Sequence, residues 1–126
     1  MKQFRIEQIV LDQLSESVQT LVEKNYFSDE DYAISYLVDV VRFFQLNIDH
    51  LVVRDAPTYF KRYCVITNKV KYVSYRKNRN TTWYAFFEEY DDTISVVYLN
   101  NNHIIGHLLE IELKNSKEIL KTNFFV

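Results

Sequence analysis

Two stretches of the chain place apolar side chains at helical spacing. Ile9/Val10, Leu14, Val18 and Leu21/Val22 form the first stripe, with Asp12, Glu16 and Glu23 off it. Ala33, Tyr36/Leu37, Val40/Val41 and Phe44 form the second. Between them Asn25-Tyr26-Phe27 breaks the period. Ser28-Asp29-Glu30-Asp31 then reads as an N-cap followed by acids that suit the positive end of a helix. The pattern predicts a helical hairpin, preceded by a short strand at Phe4-Arg5-Ile6.

Pro57 marks a change of regime, because proline biases its predecessor towards extended backbone. Beyond it the pattern predicts strands over Tyr63–Thr67, Val70–Lys77, Thr81–Tyr90 and Thr93–Leu99. Asn68, Asn78-Arg79-Asn80 and Asp91-Asp92 connect them. Links this short favour an antiparallel meander. The segment from Leu108 to Lys121 reads as a further helix or a fraying tail. The expected fold class is α+β, a helical hairpin packed on an antiparallel sheet. One domain over 1–126 is expected, with the strand and hairpin in 1–55, the sheet in 56–103 and a tail or helix in 104–126.

The Asp91-Asp92 turn sets a register. With those two residues as the loop, Tyr90 faces Thr93, and Phe87 and Phe86 sit opposite Val96 and Val97. One face then holds Trp83, Ala85, Phe87, Ile94, Val96 and Tyr98; the other holds Tyr84, Phe86, Val97 and Leu99. Both faces are apolar, which makes Thr81–Tyr90 a central strand. An even-length Asn78–Thr81 loop puts Lys71, Val73, Tyr75 and Lys77 beside Tyr84 and Phe86, and Val70, Tyr72, Ser74 and Arg76 on the Trp83 face. An odd-length loop would reverse that strand. The helices should take the less charged Trp83 face, leaving a concave platform of Lys71, Lys77, Tyr75 and Tyr84 opposite.

Charge adds a second pattern. The 126 residues carry 15 basic and 17 acidic side chains, but the signs are segregated. Residues 1–55 hold a balance of -5, residues 56–87 of +7 with no acid at all, and residues 88–126 of -4. The basic block is Lys61, Arg62, Lys69, Lys71, Arg76, Lys77 and Arg79, interleaved with aromatics that include Tyr59, Tyr63, Tyr75 and Tyr84. Cations among aromatics suit a phosphate backbone with stacked bases. They equally suit an acidic protein partner. The same residues would also serve as a solvated strand face over an aromatic core.

Other chemistry is sparse. The charged amino terminus, Met1 to Glu7, argues against a signal peptide, and the one cysteine, Cys64, against a disulfide framework. The longest uncharged run, the 17 residues Thr93–Leu109, is interrupted by three Asn and two His and is no membrane span. A cytoplasmic location is expected. One glycine, Gly106, excludes glycine-rich phosphate loops. His103 and His107 share a helical face but lack a third ligand, and His50 stands alone, so no metal or other cofactor is expected. Glu88, Glu89, Asp91 and Asp92 read as a solvated hairpin end. Cys64 reads as a buried thiol.

The order of elements, with the stretch from Arg76-Lys77-Asn78-Arg79 through Trp83-Tyr84-Ala85-Phe86-Phe87 and the acidic turn to Ile94-Ser95-Val96-Val97-Tyr98-Leu99, resembles the RelE/ParE superfamily of bacterial toxins. The resemblance covers about Lys2 to His103. It implies a toxin of a toxin–antitoxin pair, and so plasmid stabilisation and a cognate antitoxin as partner. The exposed flank of the hairpin is where that antitoxin would lie. In the nuclease branch it implies metal-independent mRNA cleavage on the ribosome, with Arg76, Arg79, Tyr98 and His103 as catalytic candidates. Lys61, Arg62, Lys69, Lys71, Tyr75, Lys77 and Tyr84 would then bind the nucleic acid or partner. In the other branch it implies a non-catalytic inhibitor of DNA gyrase. Where many members carry an arginine cluster after the last strand, this chain has Asn100-Asn101-Asn102-His103.

Overall fold

A computed structural model describes residues 2–23 and 29–102. The fold is α+β. Strand β1 (Gln3–Ile6) leads into α1 (Gln8–Glu23) and α2 (Glu30–Asn47), followed by the two-residue strand β2 (Arg54–Asp55) and then β3 (Lys71–Asn78), β4 (Thr81–Tyr90) and β5 (Thr93–Asn101). The sheet order is β1-β5-β4-β3-β2, with β1 parallel to β5 and the other neighbours antiparallel. The loop at 24–28 and the expected tail helix lie outside the described residues.

The helices form for the reasons the pattern states. Asp29, rather than Ser28, caps α2: its carboxylate accepts from the Tyr32 N–H at 2.8 Å, and Glu30 and Asp31 fill the first turn. Ala33, Leu37, Val40 and Phe44 are buried. With Val10 of α1, Leu37, Val40 and Phe44 pack on Val73, Trp83, Ala85, Phe87, Ile94, Val96 and Leu99. The helices therefore cover the Trp83 face.

The Asp91-Asp92 turn sits where the sequence puts it. Both residues have positive φ, 45° and 59°, which a two-residue hairpin loop requires and Asp tolerates. Tyr90 pairs with Thr93 and Phe87 with Val96, as expected. One residue later the register slips: Phe86 pairs with Tyr98, not Val97. Val97 is the extra residue of a bulge. Tyr98 thereby moves to the face away from the helices, and Leu99 moves onto the helix face.

A second bulge, at Lys77, reverses the expectation for β3. Tyr75 pairs with Trp83 and Val73 with Ala85, so both face the helices. Tyr72, Ser74 and Arg76 share the other face with Tyr84 and Phe86. The β3–β4 loop is indeed two residues, but the inserted residue shifts the alternation by one.

The far face is covered in part by a 3₁₀ segment, Thr58–Tyr63. Phe60 is fully buried there, stacked on Phe86 at 3.9 Å between ring centroids. Val70, Val97 and Tyr98 complete this second core. The strand expected over Tyr63–Thr67 does not form. Its N–H groups find another acceptor, the side chain of Glu88.

Candidate functional site

Among the described residues, the far face divides into a half covered by the 3₁₀ segment and a half that it leaves open. Under the 3₁₀ segment, Tyr63 stacks on Tyr98 at 4.7 Å, and Phe60 lies against both Phe86 and Tyr98. Towards the β3–β4 turn this cover ends. There Ser74, Tyr84 and Asn100 form a row across three strands, and Arg76 with Thr82 begins the next. Ser74 and Arg76 are exposed, and Tyr84, Thr82 and Asn100 are half-buried.

The turn itself is stitched by polar bonds. The Arg76 guanidinium donates to the Arg79 carbonyl at 3.2 Å, which folds its side chain back over the turn. Asn102 donates to the Asn80 carbonyl at 3.2 Å and accepts from the Thr82 N–H at 3.0 Å. The end of β5 is thus fastened to the loop that carries Arg79. His103 follows Asn102 in the chain and lies outside the described residues, as does His107.

Of the sequence candidates, Arg76, Arg79 and Tyr84 come together at this open end. The others disperse. Tyr75 lies under the hairpin, stacked on Phe43 at 3.6 Å, and the Lys77 ammonium sits 5.1 Å from the Tyr36 ring centroid on the same side. Lys71 pairs with Phe87 on the helix face. It stands five strand residues from Arg76, about 17 Å along the strand. Lys69 is exposed just before Lys71, at the far end from Arg76. Lys61 and Arg62 belong to the 3₁₀ segment, and the Arg62 guanidinium lies 3.8 Å over the Tyr59 ring. The platform of Lys71, Lys77, Tyr75 and Tyr84 does not exist, because the Lys77 bulge places three of the four on the helix side.

Tyr98 is 7% exposed. Burial pushes its phenol above the ordinary value of 10, although the Asn100 amide, donating to it at 3.3 Å, works the other way. A phenol so placed keeps its proton at neutral pH and is a poor base. Burial, reinforced by Tyr59, likewise raises Tyr63. The Cys64 thiol is raised by burial and then by the Glu88 charge, which makes it unreactive.

Glu88 departs from the solvated hairpin end expected of it. It is fully buried, not solvated, while Glu89, Asp91 and Asp92 are exposed as expected. Its carboxylate accepts from the N–H groups of Val65 at 2.8 Å, Ile66 at 3.1 Å and Thr67 at 2.6 Å, and from the Thr67 hydroxyl at 3.0 Å. Burial alone would raise this carboxyl. The backbone donors outweigh it, and the group titrates below its ordinary range. Strand alternation did contain the signal: Glu88 stands in line with Tyr84 and Phe86 on an apolar face.

Among the described residues no group of three His, Cys, Asp or Glu side chains could hold a metal ion, and no helix is long and apolar enough to cross a membrane. The chain matches no protein-family model, and no curated protein or solved structure matches it significantly.

Proposed function

We propose that this chain is the toxin-like component of a toxin–antitoxin pair and acts on RNA at the open end of its sheet. The observation that carries the reading is the meeting of Arg76 and the Arg79 backbone at a turn beside the row Ser74–Tyr84–Asn100, of which Ser74 is exposed and the other two half-buried. The Arg76 guanidinium, folded over a turn that carries a second arginine, suits a phosphodiester, and the Tyr84 ring suits a stacked base. The resemblance of the element order to RelE/ParE toxins adds to this.

The reaction such a site fits is attack of a ribose 2′-hydroxyl on the adjacent phosphorus, with the 5′-oxygen leaving. The negative charge that builds on the phosphoryl oxygens is what Arg76 and Arg79 would stabilise. The buried, protonated Tyr98 is a positioning residue in this scheme, acting through its bond to Asn100. His103 stays the candidate for proton transfer, one residue after the Asn102 that is tied to the turn. The ribosome with its mRNA is the proposed substrate, and an antitoxin the proposed partner.

One observation favours a second reading. Among the described residues the row Ser74–Tyr84–Asn100 and the neighbouring Arg76 and Thr82 include no carboxylate, which suits a surface that holds an acidic protein such as gyrase without cleaving anything.

Expression of the chain without its partner should arrest growth, and Arg76→Ala or Arg79→Ala should abolish the arrest. Both side chains are exposed, so thermal stability should change by no more than about 0.5 kcal/mol. Arrest that persists in both variants would refute the cleavage reading.

A further inference from the structure

The outer side of the helical hairpin carries an apolar groove of about 310 Å³. Leu11, Leu14 and Val18 line it from α1, and Ile34, Val38 and Val41 from α2. Several of these side chains are open to solvent: Ile34 is 47% exposed, Val38 44% and Leu11 39%. Ser15, Arg42 and Gln45 add polar groups to the lining, and a largely aliphatic seam of this kind calls for an occupant.

The position at which β5 ends indicates which one. Asn101 pairs with Trp83, and the Trp83 indole N–H donates to the Tyr36 hydroxyl at 3.1 Å. Tyr36 is the α2 neighbour of Leu37, which lines the Ile34 end of the groove. The chain therefore leaves the sheet next to Trp83, on the strand beside the one that reaches Tyr36 in the first half of α2. The 24 residues 103–126 follow from there. Along α2 the groove runs from Ile34 to Gln45, about 17 Å at helical rise, well within reach of such a segment.

The sequence of that segment fits the seam. Ile105, Leu109, Leu113 and Leu120 recur with a helical period, and Ser116 takes the intermediate place. Its charges fit as well. The two helices carry six acids against the single cation Arg42, and residues 103–126, balanced overall at three lysines and three acids, gather their lysines in 114–121. We propose that the groove is the intramolecular docking site of residues 103–126, filled by the Ile105–Leu109–Leu113–Leu120 stripe. The contact belongs to the free chain and does not rest on the toxin reading. A partner helix that used the same groove would have to displace this segment first.

The test is made on the full chain. A nitroxide is attached at Ser35→Cys, exposed and one residue from Ile34, in a Cys64→Ser background, and the amides of residues 103–126 are read by NMR. The expected result is that the amide signals of 105–120 fall to less than half their intensity against the reduced label. A mixture of isotope-labelled chain with separately spin-labelled chain should show no loss. Leu109→Asp with Leu113→Asp should restore the signals, with the sheet amide shifts unchanged. Undiminished tail signals would overturn the proposal, and so would loss in the mixed sample, which would assign the groove to a second copy. Should the labelled variant not fold, methyl–methyl NOEs between Leu109 or Leu113 and Leu14 or Val38 in the unmodified chain decide the matter: their presence supports the contact and their absence refutes it.

Discussion

Replacing Glu88 by alanine is expected to destabilise the fold by roughly 3–5 kcal/mol, the range seen when one partner of a buried charged network is removed. Glu88 is fully buried, and its loss strands the N–H groups of Val65, Ile66 and Thr67, which have no strand to pair with. Each orphaned donor costs about 1–3 kcal/mol when kept from water, and hydration of the exposed Val65–Ile66 stretch keeps the total below the sum. Glu88→Gln should cost less, because one oxygen can still accept while the amide nitrogen meets donors it cannot serve. Chemical denaturation of the three proteins measures the series.

The same carboxylate gives a pH signature. Its folded-state titration lies below the ordinary value of 4.5, so its contribution is fully present above that value and is lost as pH falls through the folded-state pKa. Wild-type stability should decline with acid in that window, and Glu88→Gln should decline less steeply. Parallel pH profiles for the two would show that the carboxylate charge is not what holds residues 65–67.

Phe60→Ala is the second large effect, at about 3–5 kcal/mol. Phe60 is fully buried, is stacked on Phe86 at 3.9 Å and lies 5.7 Å from the Tyr98 ring. The substitution opens a cavity over the far face and lets water reach Tyr98. Because burial is the main cause of the raised Tyr98 phenol, its titration should move back towards 10. Ultraviolet titration of phenolate in wild type and variant, with Tyr98→Phe as reference, reads this directly. An unmoved Tyr98 would mean that Tyr63, not Phe60, supplies the cover.

These two residues mark the boundary of what was legible in the sequence. The helical stripes, the acidic cap region of α2 and the Asp91-Asp92 turn are local signals, and each corresponds to the element found. The α+β class follows from them. The bulges at Lys77 and Val97 are not local signals. β5 is buried and apolar on both faces at Val97, and β3 mixes polar and aromatic residues on both faces near Lys77, so alternation offers little penalty for either slip. That is why β3 and the end of β5 were assigned to the wrong faces, and why Tyr75 and Lys77 left the candidate site. The segment Tyr63–Thr67 reads as a strand because Val65 and Ile66 favour one. In the fold, 67% and 58% of their surface is exposed, while their backbone is held by a carboxylate more than twenty residues away. Arg76, Arg79 and Tyr84 survived as a cluster because the hairpin turn that joins them was readable.

Cleavage of mRNA in a reconstituted translation reaction is the measurement that bears most directly on this cluster. Added wild-type protein should cut the message within ribosome-bound codons and leave a 2′,3′-cyclic phosphate, as attack by the 2′-hydroxyl requires. Arg76→Ala and Arg79→Ala should each slow the cut about 10²–10³-fold, the loss typical of one donor that stabilises transition-state charge. Intact message with folded wild-type protein on translating ribosomes, or cleavage at an unchanged rate in both variants, would contradict the assignment of RNA chemistry to the open end of the sheet.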